Sequence, residues 1–275
     1  MSNTEIPESL SHGPLVSITI CTYNGEGYLQ QTLDSVLAQT YRHIEIIIVD
    51  DGSRDGTREI IKNAAASDPR VRPVFKENGG LASARNRAFM EATGDWIAII
   101  DQDDLCYPNR IEEQLRIARA NPDADLIFCN TDYIDERSEV IGEHLAHFDL
   151  PSLQLEPQQA ANLLLKEGCF IDSEAFFMRK SAITALGPLV ERYSYVCDYD
   201  FFIRAGFSCK FCGTDKKLAA WRIHQAQATK TNKKKNDEML AVYRTYIFHP
   251  QVSCSTKATI LVHMLKMKVR AWLGR

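Results

Sequence analysis

Hydrophobic and polar positions in the first half of the chain form two alternating kinds of segment. The first kind is a short, almost continuous apolar run, and such runs occur at 15–21, 43–50, 70–75, 95–101 and 124–134. The second kind places apolar residues at helical spacing, as Leu29, Leu33 and Val36 do within 27–39. Strands that are apolar throughout are buried on both faces, and helices that alternate with them cover a parallel sheet. The pattern therefore predicts an α/β fold with a mostly parallel, Rossmann-like central sheet flanked by helices.

Turn and cap residues complete this outline. Further helices are predicted at 55–66, 81–93, 107–121, 157–168 and 196–206. Asp55 has the position and the side chain of an N-cap for the first of these. The regular alternation ends near Asp135, so we divide the chain into a flexible lead (1–14), a first half (15–135), a smaller second half (136–230) and a C-terminal region (231–275).

Composition excludes several classes of protein. The 275 residues are 45% hydrophobic and 25% charged, with a formal net charge of −4, which is ordinary for a globular protein and gives no basic surface for nucleic acid. The first dozen residues are polar, and no apolar run reaches the length of a membrane span. We therefore expect a cytoplasmic protein. We expect its eight cysteines to be reduced thiols. The close pair Cys209 and Cys212 could instead form half of a metal or redox site.

Candidate chemistry lies where the predicted strands end. The run 95–100 is followed by Asp101, Asp103 and Asp104, and like charges this close resist ionising together unless a cation lies nearby. Polar residues follow two other strands in the same way: Thr22, Tyr23 and Asn24 after the first, and Asp50 and Asp51 after the second. In open α/β sheets this edge binds ligands. Clustered carboxylates suit Mn²⁺ or Mg²⁺ with a phosphorylated ligand, and neither a P-loop nor a G-x-G-x-x-G turn is present to hold phosphates otherwise.

Two stretches carry a family resemblance. The segments VSITICTYNGEGYLQQTLDSVLAQTYRHIEIIIVDDGSRDGT and ENGGLASARNRAFMEATGDWIAIIDQDD resemble the nucleotide-sugar domain of family 2 glycosyltransferases, which are inverting enzymes with a GT-A fold. A looser similarity to the acceptor half of bacterial surface-polysaccharide members continues to about 230, and includes WRIHQAQATK. The resemblance implies that 15–135 binds a nucleotide sugar and that 136–230 binds the acceptor.

The resemblance also implies individual roles. For nucleotide-sugar binding it implies Thr22, Tyr23, Asn24, Asp50 or Asp51, Asn78, Gly79, Arg85, Asp101, Gln102 and Arg222. Asp101 and Asp103 would form the Asp-x-Asp metal motif, with Asp103 the more direct ligand and His224 a further metal or diphosphate contact. Asp198 falls at the catalytic base, although Cys197 replaces the Glu that the family places before it. Each of these residues could instead have a purely structural role. Asp50 and Asp51 would then be turn residues, Arg85 a helix-surface residue, His224 an exposed strand-end residue and Asp198 a helix N-cap.

These residues predict a metal-dependent, inverting glycosyltransferase. It would move a sugar from a nucleoside-diphosphate sugar, with UDP favoured, to a saccharide or lipid-linked saccharide in surface polysaccharide or lipopolysaccharide synthesis. A nucleotidyl- or phosphoryl-transfer enzyme on a similar sheet and a non-catalytic binding protein remain the alternatives. The Gln-x-x-Arg-Trp motif of processive synthases is absent.

The C-terminal segment predicts an amphipathic helix. One stripe is polar, with Thr259, His263, Lys266 and Arg270, and the broad face of Ile260, Leu261, Met264, Leu265, Met267 and Trp272 is apolar, interrupted by Lys268. A basic amphipathic helix suits peripheral contact with a membrane surface. Packing against the domain, or against a second subunit in a homodimer, accounts for the same pattern.

Overall fold

A computed structural model describes residues 13–145, 153–225, 227 and 234–272 of the chain. Its strands are β1 (Val16–Thr22), β2 (Ile44–Asp50), β3 (Val71–Phe75), β4 (Trp96–Asp101), β5 (Leu105–Cys106), β6 (Leu126–Ile134), β7 (Val140–Glu143), β8 (Gln154–Leu155), β9 (Phe177–Arg179) and β10 (Phe211–Arg222). Its helices are α1 (Leu29–Leu37), α2 (Thr57–Ser67), α3 (Leu81–Glu91), α4 (Arg110–Ala120), α5 (Gln159–Glu167), α6 (Lys180–Leu186), α7 (Cys197–Ser208), α8 (Lys235–Tyr246) and α9 (Cys254–Trp272), and Ser173–Ala175 forms a 3₁₀ turn.

The strands form one twisted sheet in the order β3-β2-β1-β4-β9-β6-β10-β5, with β7 added to β6 and β8 to β10. Strands β3, β2, β1 and β4 are parallel neighbours, as the sequence predicted. The register aligns Thr22 with Asp50 and Cys21 with Asp101. The polar tips of the first, second and fourth strands therefore meet at one edge.

The second half of the chain adds to this sheet rather than forming a separate one. Strand β9 lies antiparallel between β4 and β6, and β10 runs parallel to β6. The short strands β7 and β8 lie in the segment that the sequence pattern leaves irregular. The division into 15–135 and 136–230 stays a prediction, since both parts contribute to one ten-stranded sheet.

Two helices begin differently from the sequence prediction. Gly56 is the N-cap of α2, and Asp55, one residue earlier, accepts the backbone N–H of Thr57 at 3.1 Å. Val196 is the N-cap of α7, so Asp198 lies inside the first turn and the N-cap alternative for Asp198 is wrong. The entry to α7 is held from α8, where the Glu238 carboxylate accepts the backbone N–H groups of residues 194–196.

The C-terminal helix α9 packs on α5 and α8 through one side only. Ile260 is fully buried there, and Met264 and Met267 pack against the same core cluster. Leu261 and Leu265, from the same predicted face, are exposed, and the side chain of Trp272 lies outside the described residues. Among the helices that the structure describes, none has both the length and the apolar character needed to cross a bilayer. The cytoplasmic location stays a prediction.

Helices α5 and α7 approach each other closely at Gly206. A Cβ atom on Gly206 would lie 2.5 Å from the backbone nitrogen of Ala161 and 2.9 Å from its Cα. Because backbone atoms cannot move aside as a flexible side chain would, only glycine fits this position. The contact matters for the site because α7 carries Asp198 and α5 fixes the orientation of α7.

We expect Gly206→Ala to lower the free energy of unfolding by about 2 kcal/mol, since overpacking typically costs about 1–3 kcal/mol. The loss should exceed the roughly 1 kcal/mol that alanine gains over glycine in a helix. Urea unfolding measures it. The control is Gly27→Ala, because a Cβ atom on Gly27 would meet nothing within 4 Å. Equal stability of the two variants would show that α5 and α7 can separate at little cost.

Candidate active site

A cavity of about 880 Å³ opens at the carboxyl ends of β1, β2 and β4. The predicted site residues that line it are Thr22, Tyr23, Asn24, Asp51, Asn78, Asp101, Gln102, Asp103 and His224. Among the described residues, the lining set does not include Asp50, Gly79, Arg85, Asp198 or Arg222. Tyr28, Glu136 and Trp221 line the cavity without having been singled out as site residues from the sequence.

The tip of β1 is held by side chains from two neighbouring tips. The Gln102 side-chain oxygen accepts hydrogen bonds from the Thr22 hydroxyl at 2.6 Å and from the Tyr23 N–H at 2.9 Å. Asn24 has φ 50°, in the left-handed region that Asn tolerates better than most residues. Its side-chain oxygen accepts the N–H of Arg54 at 2.9 Å. The first wall of the cavity is thereby fixed before any ligand arrives.

The structure separates the two candidate acids at the tip of β2. Asp50 is fully buried, accepts the N–H of Ser53, and pairs with Arg58 at 2.6 Å, so it stabilises the turn into α2. Asp51 lines the cavity. Its carboxylate accepts the N–H groups of Gly79 and Gly80 at 2.9 and 2.8 Å, and pairs with Lys76. Of the two, Asp51 is placed to meet a ligand, and Gly79 acts by positioning it.

Arg85 lies behind the cavity wall rather than on it, which corrects the expected position. The residue is 1% exposed. Its Nη2 atom donates to Asp101 at 2.7 Å and to the Ser173 hydroxyl at 2.9 Å, and its Nη1 atom forms an ion pair with Asp198. One guanidinium therefore joins a carboxylate at the tip of β4 to another in the first turn of α7. The helix-surface alternative for Arg85 is wrong.

Asp103 and His224 form the opposite wall. The His224 Nε2 atom lies 2.8 Å from an Asp103 carboxylate oxygen, and the imidazole ring is tilted against Tyr28 with centroids 5.0 Å apart. Burial, and next the charge of Asp101, raises the pKa of Asp103, while the hydrogen bond from His224 opposes that rise. A carboxylate that is hard to ionise alone is stabilised by a cation beside it.

Arg222 is a buried structural residue, which also corrects the expected ligand contact. Its guanidinium donates to the carbonyl oxygen of Asp103 at 2.8 Å, to that of Asp135 at 3.1 Å, and to the Gln31 side chain at 3.0 Å. It also lies over the Tyr28 ring, 4.8 Å from the centroid. Arg222 thus sets the backbone position of the acidic loop instead of touching a diphosphate.

Two further acids, Asp104 and Glu174, lie close to Asp101 of the Asp-x-Asp pair. Carboxylate oxygens of Asp101, Asp104 and Glu174 lie within 4.8 Å of one another and could hold a metal ion. Burial raises the pKa of Asp104 well above its usual range, with Glu174 the largest charge contribution. Burial likewise raises the pKa of Glu174, with Asp172 adding to it. Glu174 is absent from the expected site, because nothing near it in sequence marks a ligand.

These acids test the fit of a divalent cation. Mn²⁺ and Mg²⁺ prefer carboxylate oxygens, and Asp101 and Asp103 present theirs at the cavity wall. Asp101 already has Arg85 as partner, whereas the basic partner of Asp103 among the described residues is His224. Further negative charge lies behind them, in Asp104 and Glu174. The donor set therefore fits one divalent ion at the cavity.

The Asp198 carboxylate is partly shielded from solvent. Its side chain is 19% exposed and is paired with Arg85. Burial raises the pKa of Asp198, and the Arg85 charge limits the rise. The neighbouring acid, Asp200, accepts the Tyr246 hydroxyl at 2.8 Å and pairs with Arg204 inside the helix packing, as a structural acid would. Asp198 is the better placed of the two for proton transfer.

A second polar chain of hydrogen bonds lies behind Trp221. The Tyr133 hydroxyl meets His144 Nδ1 at 2.6 Å, and His144 Nε2 lies 3.4 Å from Asp172. Trp221, which lines the cavity, packs edge-on against Tyr133 with centroids 5.5 Å apart. The 3₁₀ turn connects this chain to the acids, because Asp172, Ser173 and Glu174 are consecutive. No local pattern predicts this chain of contacts, since its members come from β6, the end of β7 and the start of the turn.

Comparison with known proteins places this fold. S. aureus TarS 1–349, solved in complex with UDP-GlcNAc, superposes with a TM-score of 0.71 at 17% identity, covering 92% of this chain and 72% of that one. A mannosyltransferase from Pyrobaculum calidifontis, solved with GDP-Man and Mn²⁺, gives a TM-score of 0.65 at 16% identity, covering 93% and 70%. The fold is that of the GT-A glycosyltransferases, which confirms the predicted class.

Sequence similarity then fixes the family. The family model described as Glycosyl transferase family 2 matches residues 17–186, and the chain belongs to that family. An uncharacterized glycosyltransferase of Rickettsia typhi is 32% identical over 244 residues, 86% of this chain and 73% of the relative. A longer relative from Rickettsia felis is 30% identical, and the chain spans 38% of its length.

The buried acids generate a pH prediction for Glu174→Gln, measured with a chelator present. The folded-state pKa of Glu174 is raised, so the folded protein holds a proton that the unfolded chain loses above its ordinary pKa of about 4.3. That contribution to stability is fully present below this pH and is lost as pH rises toward the folded-state value. The Gln variant lacks this titration. Its free energy of unfolding should therefore rise relative to that of wild type by up to about 1.4 kcal/mol for each pH unit above about pH 4.3.

Urea unfolding of both proteins from pH 4 to pH 8, about one unit apart, would show the difference. Glu167→Gln, at an exposed glutamate, is the matched control and should follow wild type throughout. If the free energy of unfolding of the Glu174 variant changed with pH as that of wild type does, the Glu174 carboxylate would ionise in the folded state as easily as in water.

Proposed function

We propose that this chain is an inverting glycosyltransferase that moves a sugar from a UDP-linked donor to a hydroxyl of a saccharide or lipid-linked saccharide. One observation carries the proposal: Arg85 joins Asp101, at the cavity wall, to Asp198, in the acceptor-side helix α7. A donor held at Asp101 and an acceptor activated by Asp198 would lie side by side in front of this guanidinium. Such an arrangement supports a single displacement at an anomeric carbon, because it would bring the two reactants together.

The donor half of the proposal is supported by the cavity. Asp51 and Asn78 form one end of it, beside the Thr22–Asn24 tip, and the acids form the other. This length separates a place for a base and ribose from a place for a diphosphate. The S. aureus neighbour was solved with UDP-GlcNAc and the Pyrobaculum neighbour with GDP-Man, which supports a nucleotide sugar in this cavity. We favour UDP on the family resemblance of the Asp50-Asp51 turn.

Asp103 and Asp101 would hold Mn²⁺ or Mg²⁺ at the diphosphate, with His224 beside them. A divalent ion there would stabilise the charge that develops on the leaving diphosphate. The protein's own contribution is to position these carboxylates. The Arg222 guanidinium donates to the carbonyl oxygen of Asp103, and the Arg222 backbone N–H donates to the Asp104 carboxylate at 2.8 Å. The acidic loop is therefore rigid in advance.

Asp198 would accept the proton of the attacking hydroxyl. An alcohol is a weak nucleophile at neutral pH, and a positioned base is typically worth about 10²–10⁴ in rate. Burial raises the pKa of Asp198, which strengthens the base, and the charge of Arg85 limits the rise. The same guanidinium fixes the carboxylate's orientation. Trp221, with Tyr133 and His144 behind it, would form the wall against which an acceptor sugar packs.

A role in surface polysaccharide or lipopolysaccharide synthesis follows from the resemblance of 136–230 to acceptor halves of such enzymes. Two alternatives predict different ligands. A nucleotidyl- or phosphoryl-transfer enzyme should prefer ATP with metal, and a non-catalytic binding protein should hold the nucleotide sugar without turning it over.

Asp103→Asn tests the donor site. Wild type should be stabilised against heating by UDP only when Mn²⁺ is present, whereas the variant should lose most of that shift because a metal ligand is gone. The variant without ligand should melt no lower than wild type, since one of several repelling acids has been neutralised. The matched control is Asp215→Asn, an exposed acid outside the cavity lining, which should keep the full shift.

Thermal shift assays with UDP, GDP and ATP, each with and without Mn²⁺, give the comparison. Stabilisation by ATP in preference to UDP would favour the phosphoryl-transfer alternative. An Asp103 variant with an undiminished UDP shift would remove Asp103 from the metal site.

Asp198→Asn tests the base. The substitution keeps the shape, so donor affinity should stay within about threefold of wild type, while kcat should fall by about 10²-fold or more. Donor hydrolysis and transfer to a mixed panel of saccharide acceptors measure it. Asp172→Asn, which alters the other buried acid on the acceptor side, is the comparison. Normal turnover by the Asp198 variant together with loss in the Asp172 variant would move the base to Asp172.

A further inference from the structure

Helix α9 has two apolar faces, and within the described part of the chain only one of them is packed. Ile260 is buried against the domain, with Met264 and Met267 packed beside it. On the outer side, Leu261, Val262, Leu265 and Val269 are 57, 48, 62 and 45% exposed. A packed helix normally presents polar residues to solvent. The outer apolar face, defined by these four residues, therefore requires a separate explanation.

Charge is arranged around this face in a definite way. At 100° per residue, the four residues of the outer apolar face fall within an arc of about 100°. Lys268 lies just beyond one border of the arc and Lys266 just beyond the other. No Asp or Glu occurs anywhere from 254 to 275, although the whole chain is acidic by four charges. An apolar stripe with ammonium groups on both borders and no nearby acid complements a surface that is apolar within and anionic at its boundary.

We propose that the outer apolar face of α9 binds the surface of an anionic lipid bilayer, with the helix lying in the plane of the interface. The four aliphatic side chains enter the acyl boundary, and Lys266 and Lys268 reach phospholipid headgroups on both sides. The opposite face stays packed on α5 and α8, so docking needs no unfolding of the domain.

A second copy of the chain fits the same face less well. Twofold contacts place the same patch on both partners, so the lysines that border one stripe would face the lysines that border the other. With no acidic residue on α9 to pair with them, these charges would repel. Anionic headgroups provide the opposite charge that a second α9 lacks.

The contact has a consequence for the acceptor, which rests on the proposed transferase function. Helix α9 packs on α5, and α5 packs closely on α7 at Gly206. Helix α7 carries Asp198 in its first turn. A bilayer that holds α9 is thus two helix layers from the proposed base. This proximity favours a lipid-linked saccharide over a free one as acceptor.

The test uses the full chain and vesicles of phosphatidylcholine, alone or with about 30% phosphatidylglycerol. Wild type should co-sediment with the anionic vesicles. Leu261→Ser combined with Leu265→Ser should reduce the partition coefficient at least about tenfold, since two exposed leucines no longer enter the bilayer. The matched control, Val140→Ser combined with Ile141→Ser, removes two aliphatic side chains that are equally exposed on β7 and should bind like wild type.

A second pair of variants tests the charges. Lys266→Glu combined with Lys268→Glu should abolish the preference for anionic vesicles. Lys62→Glu combined with Arg116→Glu makes the same change in net charge at exposed positions of α2 and α4 and should retain the preference. Because the charge variants leave the apolar residues intact, they decide the question even if the serine variant proves unstable in thermal unfolding.

Three results would overturn the proposal. They are a wild type that ignores anionic vesicles, charge variants that bind as wild type does, and a wild-type dimer in sedimentation that the serine variant converts to monomer. The last would assign the face to a second copy. Vesicle binding needs neither donor nor turnover. A chain that binds vesicles but shows no UDP-sugar activity would therefore contradict the proposed function without contradicting the proposed membrane contact.

Discussion

The arrangement of the site depends on one buried cation. Arg85 lies between Asp101 of β4 and Asp198 of α7, and it also donates to Ser173 in the 3₁₀ turn. Without it, two carboxylates from different parts of the chain would meet in a region of low dielectric, where like charges repel strongly. With it, the strand tips and helix α7 are tied together beside the cavity.

The strand tips could be predicted because their signal is local. An apolar run that stops at Asp101 or at Asp50 shows both the strand and its polar end, and the parallel order of β2, β1 and β4 brings those ends to one edge. Arg85 and Arg222 could not be placed in the same way. A motif gives their positions in the chain, but whether a guanidinium faces the cavity or the interior depends on α3 and β10 packing against distant elements.

The same distinction explains the second half of the chain. Strand β9 is only three residues long, and it enters the centre of the sheet because β4 and β6 both offer it an edge, which no periodicity reports. Helix α9 is apolar on most of its circumference, so its sequence is compatible with packing and with a free apolar face. The fold resolves this by burying Ile260 and leaving Leu265 outside.

Charge balance also gives a reason for the departure at Cys197, where the family resemblance leads one to expect Glu. Cys197 is fully buried next to Asp198, and burial raises the pKa of its thiol well above the usual range, so it stays neutral. Arg85 already faces two carboxylates, and Asp104 and Glu174 lie behind them as further acids. A glutamate at 197 would add another negative charge beside Arg85, which already pairs with Asp101 and Asp198. A neutral thiol keeps Arg85 available to Asp198, so the replacement is compatible with a working base.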